Sequence, residues 1–308
     1  MMKPLMANGR AFAQIAAYHP ELTAFRRDLH THPELGFEEV YTAGQVEAAL
    51  RACGVDEIHT GIGKTGVVGI VRGKAPASDK PGAIRSVGLR ADMDALPMAE
   101  HNSFAWKSCK PGLMHGCGHD GHTAMLVGAA RYLAATRHFA GTAVLIFQPG
   151  EEGYAGARAM MQDGLFKRFP CDQVYALHNS PEYDTGLIGI TPGPMQAAVD
   201  RIEIVVTGKG GHGARPHNCI DPVLVAAHII TAAQSIASRN VSALDEVVVS
   251  ICSVQGGHPG AMSVIPGQVT LVGTVRTYRP EIQDKVQQRL RALSEAIPVG
   301  FGASAQLT

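Results

Sequence analysis

The nine residues MHGCGHDGH, at positions 114–122, bring together one thiol, three imidazoles and one carboxylate. Such a set could form a closed structural zinc site, a cysteine nucleophile with its base, or half of an open catalytic metal site. A structural zinc site takes four Cys and His ligands, usually in paired spacings. The spacing Cys117-x-His119 does not provide such pairs, and a cysteine nucleophile leaves the chain's other acidic clusters without a role. The open metal site is therefore favoured, and the nucleophile remains an alternative.

Three further polar clusters each lie at the end of a predicted strand. They are Asp92 with Asp94, Glu151 with Glu152, and His178 with Asn179. Ligands of open α/β sheets bind beyond the carboxyl ends of the strands, so we expect these clusters to meet at one edge. An open catalytic metal site takes mixed S, N and O ligands, and Cys117, His119, Glu152 and His178 supply them. Taken singly, each cluster also fits a turn cap, a solvated charge pair or a buried histidine.

The elements that must position these clusters alternate between strands and helices from residue 40 to 190. Helical periodicity covers 11–18, 41–53 and 122–136, and apolar runs predict strands at 66–72, 86–91, 142–148 and 173–178. Strands that are apolar on both faces and separated by helices favour a largely parallel sheet covered by helices.

The pattern changes after the Pro- and Gly-rich segment 189–200. The predicted elements are then a strand, a helix, two strands and a helix, at 201–207, 221–238, 247–254, 268–277 and 280–297. A last strand at 303–308 would complete a ferredoxin-like unit.

Composition narrows the class of protein. A chain of 308 residues suggests about two domains. It has 27 basic and 27 acidic residues, so its formal net charge is zero. Its charge therefore gives no reason to expect binding to nucleic acid or to an anionic membrane. Its six cysteines form no CxxC pair, which favours a reducing, cytoplasmic location. No apolar run approaches the ~20 residues of a membrane span.

Five motifs together resemble the M20 metallopeptidase family, in its amidohydrolase branch of hippurate hydrolases and N-acyl-amino-acid deacylases. The motifs are LRADMDALP, MHGCGHDGHTAMLVGAA, IFQPGEEGYAGARAM, LHNSP and GKGGHGARPHNCIDPV. The resemblance runs from about residue 25 to residue 300 in the family's order. It implies a zinc-peptidase-like α/β catalytic domain at 1–194, with a mostly parallel sheet, and an α+β ferredoxin-like lid and dimerisation domain at 195–308.

The resemblance also implies roles for individual residues. The implied metal ligands are Cys117, His119, Glu152 and His178. Glu151 is the implied general base, Asp94 orients a ligand, and His212 stabilises the oxyanion, in the partner subunit's active site. Asn240 and Arg276 are implied to hold the substrate carboxylate. The cofactors would be two divalent metal ions, Mn²⁺ or Zn²⁺, with Co²⁺ and Ni²⁺ as further candidates.

The predicted function is metal-dependent hydrolysis of the amide bond of an N-acyl amino acid such as hippurate by a homodimer. One alternative is a deacetylase of N-acetyl amino acids or N-acetyl-diaminopimelate, and another is an impaired, non-catalytic metal-binding or dimerisation protein. Two departures keep the last alternative open. The family's return to the catalytic domain, with a further ligand histidine, would follow Thr308, and Ser263 stands where the family usually has Asn.

Overall fold

The computed structural model describes residues 9–76 and 85–308, which divide after Leu187 into two compact units. The predicted domain ranges, 1–194 and 195–308, stay a prediction, and the first of them starts outside the described residues. No helix in the described ranges combines the length and apolar composition that a membrane span requires.

The first unit is built on a mixed five-stranded sheet. Its strands are β1 (Glu57–Ile62), β2 (Gly66–Arg72), β3 (Ser86–Asp92), β4 (Thr142–Gln148) and β5 (Gln173–Ala176). They lie in the order β1-β2-β4-β3-β5. Strand β3 pairs in parallel with β4 and β5, whereas β2 is antiparallel to both β1 and β4.

The prediction of a mostly parallel sheet is therefore wrong in part. The difference comes from β2, which runs antiparallel to both of its neighbours, β1 and β4. The sequence pattern did not reveal β1, because EIHTGI is half exposed and only weakly apolar. A tight turn with positive φ at Gly63 (62°) and Lys64 (83°) joins β1 to β2. A turn this short permits only antiparallel pairing, since parallel strands need a longer crossover.

Helices cover both faces of this sheet. They are α1 (Gly9–Thr31), α2 (Val40–Ala52), α3 (His119–Thr136), α4 (Gly156–Gln162) and α5 (Leu165–Arg168). Alternate side chains of the central strands point to opposite faces, so Phe147 packs in the core beneath α2 and α3 whereas Ile146 packs with Met160 of α4. The predicted helices at 41–53 and 122–136 are confirmed. The second begins earlier than predicted, at His119.

The pairing of the parallel strands brings the polar clusters to one edge. Asp92 ends β3 directly opposite Gln148, which ends β4. Strand β5 stops at Ala176, beside Arg90. The segments that follow these strands therefore leave the sheet at the same edge, as the sequence predicted.

The second unit contains one four-stranded antiparallel sheet and two long helices. Its elements are β6 (Ala198–Thr207), β7 (Gly211–His212), α6 (Pro222–Ser235), β8 (Val247–Gln255), β9 (Val264–Ile265), β10 (Gln268–Thr277), α7 (Pro280–Gly300) and β11 (Ser304–Leu307). The sheet order is β11-β6-β10-β8, while β7 pairs with β9. A π-helical turn at Ile236–Asn240 continues α6. The long elements follow one another in the predicted order.

Asp56 and Arg137 connect the end of α3 to the β1–β2 hairpin. Nη1 of Arg137 donates to Asp56 Oδ2 at 2.7 Å. The same guanidinium also donates to the carbonyl oxygens of Gly54 and Arg72, each at 3.0 Å. Asp56 further accepts the N–H of Arg72 at 2.7 Å. The hydrogen bond from Arg137, against the opposing effect of burial, lowers the pKa of Asp56.

We expect Asp56→Asn to lower the free energy of unfolding by about 1–2 kcal/mol at neutral pH, because it removes a charge-assisted hydrogen bond. Since the folded-state pKa lies below the ordinary value of 3.8, this contribution is complete above that value and is lost as the pH falls through the folded pKa. Urea unfolding from pH 7 downward checks this. Glu47→Gln, at an exposed helical pair with Arg51, is the control, and an equal loss in both variants would contradict the assignment.

Candidate metal centre

His119, the first residue of α3, is completely buried. Its Nδ1 lies 2.8 Å from the carbonyl oxygen of Asp94 and 3.2 Å from Asp94 Oδ1. Both are acceptors, so Nδ1 carries a proton and donates it. Its Nε2 has no hydrogen-bond partner among the described residues; Asp92 Oδ2 is 3.7 Å away and Glu152 Oε1 is 3.9 Å away. An imidazole oriented by a carboxylate, with its other nitrogen unpartnered, is typical of metal-binding histidines.

Three groups of possible ligands share His119. In each group the ligand atoms lie within 4.8 Å of one another, and the groups are Cys117–His119–His178, Asp92–His119–His122 and His119–Glu151–Glu152. The first unit therefore brings the four predicted metal ligands and the predicted base to one place. Their individual roles stay predictions.

The positive charge that metal ions carry suits this cluster. Burial acts to lower the pKa of His119, but the hydrogen bond that its Nδ1 donates to Asp94, together with the charge of Asp92, outweighs burial and raises the pKa. The carboxylates thus favour a cation at this position, which either a proton or a metal ion can supply. Thiolate, imidazole and carboxylate together suit Zn²⁺ or Mn²⁺. The residues therefore fit divalent metal ions.

Cys117 is half-buried, and its Sγ lies 3.4 Å from His178 Nε2. Burial, followed by the contact with Glu152, raises the pKa of the Cys117 thiol to about 12. Cysteine nucleophiles instead have lowered pKa values, so this environment disfavours the nucleophile alternative. A metal ion deprotonates a coordinating thiol outright, which is compatible with Cys117 as a ligand.

Asp94 connects His119 to the segment that carries the two glutamates. While Oδ1 faces His119, Oδ2 accepts the backbone N–H of Glu152 at 2.9 Å. Burial acts to raise the pKa of Asp94, but the hydrogen bonds from His119 and from the backbone of Glu152 and Glu151 outweigh it and lower the pKa. This geometry supports the predicted orienting role of Asp94.

Glu151, next to Glu152, is exposed on its outer side. Partial loss of hydration, followed by the charge of Glu152, raises the pKa of Glu151. A carboxylate with a raised pKa holds a proton more readily than a fully solvated glutamate does, which suits proton transfer near neutral pH.

A second buried network surrounds Asp92, which the sequence placed at a strand end without assigning it a role. Asp92 Oδ1 lies 2.6 Å from His122 Nδ1, and its Oδ2 accepts from Arg90 at 2.6 Å. Burial acts to raise the pKa of Asp92, but His122 and Arg90 outweigh it and lower the pKa. On its other side, His122 Nε2 accepts the N–H of Asn179 at 3.0 Å. The signal for this network was the i, i+3 spacing of His119 and His122 on one helix.

The backbone between the two central ligands requires glycine. Gly118 has φ of 93°, and a Cβ at this position would lie 2.4 Å from Asn179 Oδ1. The residue after His178 therefore packs directly against the turn between Cys117 and His119. This contact places His178, the predicted ligand that follows β5, close to Cys117 and His119.

Side chains of helix α1 bind the first turn of α3. Asp120 accepts from Arg26 Nε at 2.9 Å and contacts His30 Nδ1 at 2.9 Å. His30 Nε2 lies 3.2 Å from Glu100 Oε1. Burial acts to raise the pKa of Asp120, but His30 and Arg26 lower it to about 2. These contacts fix the start of α3 to α1, and Asp120 belongs to none of the three groups of possible ligands.

The remaining predicted residues belong to the second unit. His212 lies on β7 with an exposed side chain, whose Nδ1 accepts the N–H of Ala214 at 3.1 Å. Ser263, at the position where the sequence departs from the family, uses its carbonyl oxygen to accept the N–H of Gly213 at 2.7 Å. This contact does not depend on the side chain at position 263.

Asn240 ends the π-helical turn, and its Oδ1 accepts from Arg289 Nε at 3.1 Å. Arg276 is half-buried on β10 and donates to Thr274 Oγ1 and, at 3.2 Å, to the carbonyl oxygen of Val275. The roles of His212, Asn240 and Arg276 toward a substrate stay predictions.

Residues 88–297 match the profile of Peptidase family M20/M25/M40. The chain belongs to this family. An N-acetylcysteine deacetylase of Bacillus subtilis is 41% identical over 291 residues, covering 94% of this chain and 74% of that protein. A hippurate hydrolase of Campylobacter jejuni is 42% identical over 277 residues, covering 90% and 70%. The crystal structure of a B. subtilis dinuclear metal-binding M20 peptidase is 37% identical with a TM-score of 0.74, covering 95% and 74%.

Membership of the M20 family confirms the resemblance seen in the motifs. It also makes the chain a metal-dependent amide hydrolase, because similarity at this identity extends over most of the chain. The alternative of a purely non-catalytic module is accordingly disfavoured.

Cys117→Ser should weaken the binding of Zn²⁺ by about 100-fold or more, since changes at residues that only support a ligand already cost about 10–100-fold. A serine hydroxyl does not ionise in the neutral range as a metal-held thiol does. Competition with a chelator measures this affinity. Cys171→Ser is the matched control, because Cys171 is also a half-buried thiol but is outside the ligand cluster. Unchanged affinity in Cys117→Ser would remove Cys117 from the ligand set.

Proposed function

We propose that this amide hydrolase cleaves N-acyl amino acids of the hippurate type into a carboxylic acid and a free amino acid. The observation that carries the proposal is the convergence of Glu151 with the ligand cluster around His119. Support for the substrate class comes from the similarity to the hippurate hydrolase of C. jejuni.

In the proposed centre, Cys117, His119, Glu152 and His178 would hold two divalent ions, Mn²⁺ or Zn²⁺. When bound, the ions supply Lewis-acid chemistry, which makes water more acidic and polarises a carbonyl group. Asp94 holds the imidazole of His119 through Nδ1 so that Nε2 is presented to the centre.

The carboxylate of Glu151 performs the proton transfers in this proposal. It takes a proton from the attacking water while the water oxygen bonds to the carbonyl carbon of the substrate. It then gives that proton to the amide nitrogen as the C–N bond breaks. The products are the carboxylic acid and the free amino acid, so one water is consumed for each bond cleaved.

The second unit would hold the substrate as a lid and dimerisation domain, with the domain boundary near residue 194. Arg276 suits the free carboxylate because its guanidinium can donate two parallel hydrogen bonds. Asn240 would add an amide donor, and His212 of the partner subunit would donate to the developing oxyanion.

A second candidate is deacetylation of an N-acetyl amino acid. It is favoured by the similarity to the N-acetylcysteine deacetylase of B. subtilis over 94% of this chain. The two candidates share the catalytic residues and differ in the size of the acyl group.

Glu151→Gln should lower kcat for hippurate by about 10²–10⁴-fold, because the amide keeps the shape of the side chain but does not take up the proton. Glycine release with Mn²⁺ or Zn²⁺ measures the rate, and elemental analysis should show unchanged metal content. Glu182→Gln, at an exposed glutamate of the same unit, is the control.

Two outcomes would change the proposal. A wild-type rate in Glu151→Gln shows that another group is the base. The wild-type protein should also prefer hippurate to N-acetylglycine, which differs only in its acyl group. A preference for N-acetylglycine supports the deacetylase candidate instead.

The dimer proposal predicts complementation between two inactive chains. Glu151→Gln and His212→Ala should each be inactive alone. Each active site would take His212 from the partner subunit, so in a mixed dimer one of the two sites combines an intact Glu151 with an intact His212. Mixed dimers should therefore regain up to about half of the sites. Co-refolding the two variants and assaying hippurate hydrolysis tests this. If mixed dimers form and stay inactive, His212 does not act across the dimer.

A further inference from the structure

Two buried carboxylates bind the backbone of the segment Pro149–Gly156, here called the base loop. Asp94 Oδ2 accepts the N–H of Glu152 at 2.9 Å, and Glu39 Oε1 accepts the N–H of Gly150 at 2.7 Å. Glu151 lies between these two bound amides. Asp94 already belongs to the proposed centre, whereas Glu39 precedes α2 and has no role in it so far.

The side chain of Glu39 does not serve its own helix. Glu39 is the N-cap residue of α2, yet its carboxylate makes no capping hydrogen bond to that helix. Instead, its second oxygen accepts the hydroxyl of Thr65 at 2.5 Å, so both oxygens are used away from α2.

Glu39 is completely buried. Burial raises its pKa, against the hydrogen bonds from Thr65 and Gly150. Burying a carboxyl group costs free energy unless hydrogen bonds compensate for the lost water. An apolar residue would fill this space at a lower cost, so the hydrogen bonds to Thr65 and to the base loop are what distinguish a glutamate here.

The base loop is rigid on its other sides. It is closed internally by the hydrogen bonds from Gly153 N–H to the carbonyl oxygen of Glu151, at 2.7 Å, and from Gly156 N–H to that of Gly150, at 2.8 Å. Tyr154 packs over Gly36, where a Cβ would lie 2.4 Å from the tyrosine ring. These contacts connect the loop internally, so its two attachments to Asp94 and Glu39 set the position of Glu151.

We propose that Glu39 is a positioning residue, which fixes Glu151 for proton transfer through its hydrogen bond to Gly150 N–H. This inference rests on the proposed function, which assigns the base to Glu151. Proton transfer depends steeply on geometry, and a displacement of about 1 Å can cost about 100-fold in rate. Glu39 touches neither substrate nor metal in this proposal, so its loss affects the chemical step more than substrate binding.

Kinetics of Glu39→Ala and Glu39→Gln test the inference. Glu39→Ala should lower kcat for hippurate by about 10–100-fold, with KM within about twofold of the wild type and unchanged metal content. Glu39→Gln should retain most of kcat, because its carbonyl oxygen still accepts from Gly150 while its amide group donates to Thr65 Oγ1. If the enzyme instead required a negative charge at this position, Glu39→Gln would lose kcat as Glu39→Ala does.

Glu34→Ala is the matched control. Glu34 is a buried glutamate of the same segment, but its carboxylate accepts the N–H groups of Tyr41 and Thr42, at 3.0 Å and 2.9 Å. Glu34→Ala should lower thermal stability and keep kcat. Equal losses of kcat in Glu34→Ala and Glu39→Ala, or a rise in KM alone, would overturn the inference.

Thr65→Val carries the test if Glu39→Ala does not fold. It frees one oxygen of Glu39, so kcat should fall by a few-fold, and an unchanged kcat would overturn the inference. Failure of the proposed function gives a different result. If Glu151→Gln keeps the wild-type rate, the base assignment fails; if that variant is inactive while Glu39→Ala keeps kcat, only the inference about Glu39 fails.

Discussion

The hydrogen bond between Asp94 and Nδ1 of His119 is the interaction on which the candidate centre depends. It fixes the tautomer of a completely buried imidazole and directs Nε2 toward the other possible ligands. The second oxygen of the same carboxylate holds the backbone of Glu152. One side chain just beyond β3 thus positions both His119, the predicted ligand that begins α3, and the loop that follows β4. The geometry of three segments is therefore coupled through one group.

This coupling concentrates negative charge in the interior. Asp92, Asp94 and Asp120 are almost completely buried, and each remains ionised through hydrogen bonds from histidine, arginine or backbone amides. Buried charges of this kind seldom add stability compared with well-packed apolar residues. They provide an electrostatic environment that favours cations, and this is what a centre built for divalent metal ions needs.

The end of α1 and the residues that follow it carry no predicted ligand, yet they contact three of the four segments that form the candidate centre. His30 contacts Asp120 at the start of α3. The carbonyl oxygen of Glu34 accepts the N–H of Ala95, next to Asp94, at 2.7 Å. Glu39 holds the base loop. The early part of the chain therefore acts as a scaffold, and the predicted ligands and base all come from later segments.

The sequence by itself determined the family, the residue types of the candidate centre and the edge of the sheet at which they lie. The apolar runs of β2 and β4 have the predicted bounds, because strands buried on both faces leave an unbroken hydrophobic signal. The types of residue after each strand then indicated metal ligands, a base and a family. Only the tertiary structure revealed β1, whose half-exposed residues leave a weak signal, and the antiparallel direction of β2. The contacts of Asp92 and Glu39 also came only from the structure. A buried carboxylate looks the same in a sequence whether it binds solvent, its own helix or a distant backbone amide, since that choice depends on where the folded loops place their N–H groups.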